Sequence, residues 1–285
     1  MTPDWMIPAD LAPGDQKSLQ RDWSGMELHE IRSPSDPVFP TAYGALWTEF
    51  GSSGELEQAE ILARRWEQGP VRTEADWSFY YRMVVLMNGG KWAAVQDETA
   101  IVRDGVPGAV VHVSHNLVAP EWRRTGLAGW MRALPISTAR TLFAKLGRPK
   151  DSPITLLAEM EHPDLDSPPT HIRLAAIEKA GYKKIHPERI AFWQPDFRPP
   201  TEIDAGGGPR PVPLSLVLRK VGREHEDSLS GDEVQHLISA LYTMYELDFR
   251  PQDMAPLWAA LEKAPAGEDI LPLIPPTRSG DPYAP

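Results

Sequence analysis

The stretch from Val110 to Lys150 constrains the fold more than any other part of this 285-residue chain. It begins with the mostly apolar run Val110 to Val118, which predicts a strand. The turn Ala119 to Trp122 follows, and the segment Arg123 to Ala128 then opens a predicted helix. A strand, a tight turn and a helix start bring unpaired backbone N–H groups to the positive end of a helix dipole, which suits a bound anion.

The charge of this stretch agrees with an anion site. Seven basic residues and no acidic residue lie between positions 123 and 150; the whole chain carries a formal charge of −11, so the remainder carries −18. A basic segment in an acidic chain indicates a local anion site. Gly126 has no side chain to block a ligand. We therefore expect a Gly126→Glu substitution to abolish anion binding while the fold stays intact.

Composition narrows the class of protein. Apolar and charged fractions of 41% and 24% are ordinary for a globular protein. The chain has no apolar run long enough to span a membrane, and its first 25 residues lack the apolar core of a signal peptide. The absence of cysteine excludes disulfides and thiol catalysis. These features predict a cytoplasmic protein without a membrane or nucleic-acid partner, because its acidic balance opposes DNA binding.

The order of predicted elements indicates an α+β fold. The predicted strands are Met26–Ile31, Trp77–Asn88, Lys91–Val102, Val110–Val118, Ile154–Met160, Glu188–Gln194 and Leu214–Lys220. The predicted helices are Pro40–Phe50, Gly54–Gln68, Thr125–Gly147, Thr170–Ala180, Asp232–Leu247 and Pro256–Lys263. Pro135 predicts a kink or two separate helices, and Thr170 is the expected cap of its helix. The segment 195–213 is expected to be a loop.

Two motifs point to a known superfamily. The pattern Val118, Pro120, Arg123, Gly126 and Ala128 resembles the pyrophosphate-binding motif of the GCN5-related N-acetyltransferases, and Ala180-Gly181-Tyr182 resembles the end of a later helix in that superfamily. The resemblance covers about residues 26–220. It implies a mixed, splayed central β-sheet flanked by helices, with extra C-terminal helices here. It also implies acetyl-CoA, or another acyl-CoA, as the co-substrate.

The resemblance divides the chain into four parts. Residues 1–25 are an irregular leader, and residues 26–220 form the acyltransferase domain. Residues 221–263 are a C-terminal helical extension, and residues 264–285 are a flexible tail. One departure concerns the tyrosine that often serves the superfamily as general acid, because Ile177 stands at its place.

The cofactor-binding residues are carried over from the resemblance. Backbone N–H groups of Asn116, Leu117 and Val118 are expected to bind the thioester carbonyl and the pantetheine arm. The loop N–H groups are expected to hold the pyrophosphate; they belong to Arg123, Arg124, Thr125, Gly126, Leu127 and Ala128.

Three residues are candidates for the general base that an attacking amine requires. Glu159 and Glu161 share one face of a predicted strand, whose apolar surroundings would raise a carboxyl pKa. His115 has an ordinary pKa already suited to proton transfer. The alternative for Glu161 is a solvated strand end, and His112 is interpreted as a structural histidine. His112 and His115 lie on opposite strand faces without a nearby third ligand, so no metal site is expected.

The resulting hypothesis is direct acyl transfer from acyl-CoA to an amine of a small molecule or a peptide. One alternative is a catalytically degenerate module that binds acyl-CoA or a protein. Another is a scaffold whose basic helix binds an acidic partner. The helix Asp232–Leu247 is expected either to cover the sheet or to form a homodimer contact.

Overall fold

A computed structural model describes residues 3–163, 168–187 and 189–278. The chain divides into two compact units, Met1–Leu156 and Leu157–Pro285. The boundary falls inside one strand, Ile154–Met160, which is β6 in chain order. The four-part division predicted from the sequence stays a prediction.

The first unit is built around an antiparallel sheet with strand order β1-β3-β4-β5, and β2 pairs with β3. Its elements are β1 (Met26–Ile31), α1 (Phe39–Phe50), α2 (Ala59–Glu67), β2 (Arg72–Glu74), β3 (Trp77–Asn88), β4 (Lys91–Arg103), β5 (Ala109–Val118) and α3 (Leu127–Leu146). The predicted strands and α1 are confirmed within a residue. The start of α2 was predicted too early, because Gly54 adopts a left-handed φ of 74° before it.

Alternation along the central strands gives this sheet a core on each face. Val84 and Leu86 pack with Trp130 of α3, whereas Met83 and Val85 pack with residues of α1 and α2. Successive strand residues point to opposite faces, so a strand covered on both sides is apolar throughout. The hairpin turn between β3 and β4 contains Gly89 and Gly90 at φ values of 56° and 76°, which glycine adopts without strain.

The N-terminal segment is packed against α3. It forms two 3-10 helices, Pro8–Asp10 and Pro13–Gln20, and Met6, Leu11 and Trp23 enter the core on the α3 side. Its acidic residues reach the basic helix through two ion pairs, Asp15 with Arg132 at 2.5 Å and Asp10 with Arg140 at 2.6 Å. Part of the basic charge seen in the sequence is therefore neutralised inside the fold.

Helix α3 is one helix of 20 residues with Pro135 inside it. The alternative of two separate helices is wrong. Proline removes one backbone donor, but the flanking residues Trp130, Met131 and Ile136 are almost fully buried and hold both halves in place. The helix begins at Leu127, two residues later than predicted, because Gly126 adopts a left-handed conformation as its N-cap.

The second unit combines short strands in the order β9-β7-β11-β10 with four helices, and β8 pairs with β9. Its elements are α4 (Pro168–Lys179), β7 (Lys183–Ile185), β8 (Phe192–Gln194), α5 (Pro200–Ala205), β9 (Val212–Lys220), β10 (Ser228–Ser230), α6 (Gly231–Glu246), α7 (Pro251–Leu261) and β11 (Ile270–Ile274). Helix α6 begins with a capping box between Ser230 and Glu233, which fixes its start.

Several expectations for this unit are wrong. The loop 195–213 contains α5, and of the predicted strand 188–194 the described part forms only β8. The tail is not loose at Ile270–Ile274, because β11 pairs with both β7 and β10. Thr170 does not cap α4, which starts at Pro168; its hydroxyl donates to Glu161 instead. Gly181 ends α4 as expected, at a φ of 83°.

The predicted fold class is confirmed: a mixed sheet flanked by helices, with the extra helices α6 and α7 near the C-terminus. The splay between two middle strands stays a prediction. No helix in the described part of the chain is both long and apolar enough to cross a membrane.

Candidate functional site

The loop between β5 and α3 has the geometry of an anion cradle. Arg124 and Gly126 adopt left-handed φ values of 63° and 96°, which turn the chain sharply into the helix. Thr125 stiffens this turn, because its hydroxyl donates to the Trp122 carbonyl at 2.6 Å. Among the described residues, no hydrogen bond uses the backbone N–H of Arg124, Gly126 or Ala128. These groups are unpaired donors at the positive end of α3.

Fewer basic side chains are available to an anion at this loop than the sequence indicates. Arg123 and Arg124 are exposed beside the unpaired N–H groups. Arg132 and Arg140 are engaged by the N-terminal segment, and Arg148 donates to backbone carbonyls and to Asp104. The attraction for an anion therefore comes mainly from two arginines and the helix terminus.

Gly126 also has a structural role that the sequence did not reveal. The hydroxyl of Ser18 donates to the Gly126 carbonyl at 2.7 Å. A Cβ atom on Gly126 would lie 3.1 Å from the Ser18 Cα, and the φ of 96° is strained for any other residue. The expectation that Gly126→Glu leaves the fold intact is therefore wrong, because the substitution would disturb the packing of the N-terminal segment.

Strand β5 contains a bulge at Ser114, which lies between Val113, opposite Glu98, and His115, opposite Asp97. Beyond the bulge, the Ala119 N–H donates to the Ala93 carbonyl at 2.9 Å. Backbone N–H groups two residues apart point to the same side of a strand. The N–H of Leu117, two residues before Ala119, therefore also points towards β4.

By the same alternation, Asn116 and Val118 direct their N–H groups away from β4. They stay candidates for binding the thioester and pantetheine. Leu117, which the resemblance also suggested, is excluded because its N–H lies on the ladder side.

His115 is buried and hydrogen-bonded at both ring nitrogens. Its Nδ1 lies 2.8 Å from Asp97 Oδ1, and its Nε2 lies 2.9 Å from the Glu55 carbonyl oxygen. Burial alone would lower the pKa of His115, but the charge and hydrogen bond of Asp97 outweigh it and raise this pKa to about 9. Both nitrogens then donate, so His115 is protonated at neutral pH and lacks a lone pair to accept a proton.

A second buried acid, Glu98, was missed by the sequence reasoning. Burial raises the pKa of Glu98 to about 7, against the opposing charge of Arg82 and a hydrogen bond from Thr138. Among the described residues, its Oε2 has no hydrogen-bond partner. The sequence does contain a signal, because Gln96-Asp97-Glu98-Thr99 is a polar run in the middle of a strand.

Glu159 lies on β6 with its side chain half-buried. The phenol of Tyr245, on α6, donates to Glu159 Oε2 at 2.8 Å. Tyr245 is fully buried and packs against Phe197 and Phe249, so its hydroxyl is held in place. The sequence placed Tyr245 on the apolar face of its helix, but no spacing rule links it to a residue 86 positions earlier.

Glu161 lies one residue beyond the end of β6. Its carboxylate forms an ion pair with Arg173 and accepts a hydrogen bond from Thr170, and its side chain is 41% exposed. This arrangement matches the alternative of a solvated strand end. His112 is buried on β5, with Nδ1 3.2 Å from the Ser114 hydroxyl. No group of three potential metal ligands occurs in the described residues.

Comparisons with known proteins give distant structural matches. No family model matches the chain, and no curated protein matches it significantly. Three solved structures match the chain at low identity.

The first, an aminoglycoside acetyltransferase from an uncultured soil metagenomic sample, has 10% identity and a TM-score of 0.33. The match covers 53% of this chain and 86% of the acetyltransferase chain. An acetyltransferase of the GNAT family from Streptococcus pneumoniae has 12% identity and a TM-score of 0.37, covering 69% and 99%. A tandem GNAT protein from the clavulanic acid biosynthesis pathway has 15% identity and a TM-score of 0.35, covering 87% and 97%.

Two of these proteins are named as GNAT proteins. Identities and TM-scores this low do not indicate what this chain does.

Proposed function

We propose that this protein is an acyl-CoA-dependent N-acyltransferase that transfers an acetyl or other acyl group directly to an amine. The observation that carries the proposal is the trio of unpaired N–H groups on Arg124, Gly126 and Ala128 at the start of α3. Backbone donors at a helix N-terminus bind phosphate oxygens well. With Arg123 beside them, they would hold the pyrophosphate of acyl-CoA.

The other residues of the predicted cofactor site have proposed roles of their own. Arg123 to Ala128 form the phosphate loop, in which Thr125 stiffens the turn and Leu127 anchors the helix in the core. The outward N–H groups of Asn116 and Val118 would bind the pantetheine arm and the thioester carbonyl. Donors placed where charge develops on that oxygen stabilise the transition state.

For the general base we propose Glu159. His115 is excluded from this role because its proton is held by Asp97, and Glu161 is a poor candidate because its carboxylate is paired with Arg173. The Tyr245 phenol donates a hydrogen bond to Glu159 Oε2 and fixes the orientation of this carboxylate. In this scheme, Glu159 removes a proton from the amine as its nitrogen attacks the thioester carbon, and CoA leaves as the thiolate.

The acceptor is proposed to be an amine of a small molecule or a peptide, and the protein is proposed to act in the cytoplasm. A homodimer through α6 stays a prediction. The alternative function is a module that binds acyl-CoA without turnover. Ile177 favours this alternative, because it replaces the tyrosine that often serves the superfamily as general acid.

The Ala128→Glu substitution tests the cofactor site more cleanly than a change at Gly126. A glutamate in the first turn of a helix stabilises that helix, so the fold should be retained. Its charge would lie against the pyrophosphate and should weaken acetyl-CoA binding on the order of 100-fold. Calorimetric titration with acetyl-CoA measures the affinity, and thermal unfolding reports on the fold.

Ala128→Gln is the matched control, since it adds the same bulk without the charge. It should bind acetyl-CoA clearly more tightly than Ala128→Glu. Unchanged binding by Ala128→Glu would show that the loop does not hold the phosphates. Binding by the parent without CoA release for any amine in a screen would favour the non-catalytic alternative.

A further inference from the structure

The outer edge of β3 is left uncovered at its centre. Pairing with β1 ends at Met83, and pairing with β2 begins at Phe79, so among the described strands none covers residues 80–82 on that side. Alternate residues of a strand direct their N–H and C=O groups to opposite sides. At least one of these three residues therefore presents its backbone donor and acceptor to the gap.

A cavity of about 580 Å³ opens at this gap, within the first unit. This volume lies in the range of pockets that bind small organic ligands. Three aromatic residues form part of its wall: Trp66 from α2, with Tyr80 and Tyr81 from β3. The rings of Trp66 and Tyr81 are 5.4 Å apart and tilted, and the guanidinium of Arg65 lies 5.2 Å from the centre of the Tyr81 ring.

The cavity wall carries a net positive charge. Arg32, Arg65, Arg82 and Lys145 line it together with Glu30. Glu30 pairs with Arg32 and Arg82, and Arg65 pairs with Glu57, so Lys145 is the cation of the wall that has no carboxylate partner among the described residues. Lys145 lies 5.5 Å from the centre of the Tyr80 ring, and among the described residues its ammonium group forms no hydrogen bond. An anion entering the cavity would meet cations next to aromatic faces.

The guanidinium of Arg82, in the wall of this cavity, is fixed by hydrogen bonds. It donates to Ser137 at 2.9 Å, to Thr138 at 3.2 Å and to Glu30 at 3.2 Å. Thr138 in turn donates to the buried carboxyl of Glu98. A cation whose position is fixed by such a network loses little freedom when it binds a ligand.

We propose that the cavity bounded by Trp66, Tyr80, Arg82 and Lys145 binds a small aromatic anion, a carboxylate or a phosphate ester. Its anionic group pairs with Lys145 and the guanidinium of Arg82, and its ring lies against Tyr80, which is on the same face of β3 as Arg82. The site is separate from the phosphate loop: Thr141 in the cavity wall and Leu127 at the loop are 14 residues apart on α3, roughly 21 Å along the helix axis.

The experiment is calorimetric titration of the full chain with benzoate and with phenyl phosphate, each repeated at saturating acetyl-CoA. Benzyl alcohol is the uncharged probe. We expect at least one anion to bind, benzyl alcohol to bind much more weakly, and acetyl-CoA to leave the anion's affinity unchanged. The stronger of the two anions identifies the preferred group. Competition by acetyl-CoA would show that the two sites are not separate and would overturn the proposal.

Lys145→Glu tests the location. Lys145 is exposed, so this variant should fold, and it should weaken anion binding at least ~10-fold because an attraction becomes a repulsion. Lys150→Glu makes the same change of net charge on an exposed residue outside the cavity wall and should bind like the parent. Equal weakening by both variants, undiminished binding by Lys145→Glu, or no binding of either anion to the parent would each overturn the proposal.

Discussion

Two acid pairs in this protein have the same donor–acceptor distance but opposite environments. In the first unit, His115 and Asp97 are 2.8 Å apart with side chains 4% and 0% exposed. In the second unit, Tyr245 and Glu159 are also 2.8 Å apart, and Glu159 is half-buried. The first pair joins two opposite charges, whereas the second joins a neutral donor to a carboxylate.

The comparison shows why a short hydrogen bond does not identify a general base. Burial alone would raise the pKa of Asp97, but the charge and hydrogen bond of His115 hold it below the ordinary value. Asp97 in turn raises the pKa of His115, so the pair is locked in its ionised form. Such a pair stabilises β4 and β5 but has no proton to exchange at neutral pH. The Tyr245–Glu159 pair instead holds a carboxylate in a fixed orientation through a neutral donor, which is the arrangement that the proposed base uses.

The largest expected effect comes from breaking the buried pair. Asp97→Asn should lower the free energy of unfolding by about 3 kcal/mol at pH 6, because His115 would lose its counter-charge inside the protein. The stability that the raised pKa of His115 provides is fully present below pH 6.5 and is lost as pH rises through about 9. The deficit of the variant should therefore shrink towards pH 10.

Urea denaturation at several pH values measures this change. His29→Gln is the control, because the His29–Asp36 pair has a similar distance of 2.9 Å but its histidine side chain is 40% exposed. Its loss should stay below about 1 kcal/mol, as for other exposed pairs. A deficit for Asp97→Asn that is equal at pH 6 and pH 10 would contradict the ionised His115.

The second effect concerns the other pair and is kinetic. Glu159→Gln should lower kcat about 100-fold near neutral pH, since it removes the proposed proton acceptor while keeping the side-chain size. Tyr245→Phe should lower kcat less, because it removes only the donor that orients Glu159.

These rates are measured by CoA release with an amine found by screening. Glu161→Gln is the matched control two residues along, and it should retain activity close to that of the parent. An unchanged pH–rate profile in Glu159→Gln, or an equal loss in Glu161→Gln, would remove Glu159 from the role of base.

The smallest effect concerns the buried carboxyl of Glu98 in the first unit and the pH dependence of the protein's stability. Burial raises the pKa of Glu98 to about 7 from its ordinary 4.5, so the folded protein binds an extra proton between these values, and its stability falls as pH rises through them. Glu98→Gln cannot lose a proton. Its stability relative to the parent should increase by about 2 kcal/mol from pH 5 to pH 7. Thermal unfolding over this range is the measurement, and parallel curves would contradict the raised pKa.

Much of the fold could be predicted from local patterns. The strands Met26–Ile31, Trp77–Asn88 and Ile154–Met160 match their predicted bounds, because apolar alternation and glycine turns act over a few residues. Helix α6 was also anticipated from its apolar face. The missed elements, β2, β7, α5, β10 and β11, are short, and β7, β10 and β11 depend on partners distant in the chain.

The candidate site was likewise predictable only in part. By itself, the sequence determined the strand, turn and helix that carry the loop at 123–128, since turn chemistry and helix starts are local. Only the tertiary structure decided which charges stay available there, by pairing Arg132 and Arg140 with the N-terminal segment. It also decided that His115 is bound to Asp97 and that Glu159 meets Tyr245. The physical reason is that a pKa and an ion pair depend on neighbours brought together by folding, which spacing along the chain does not encode.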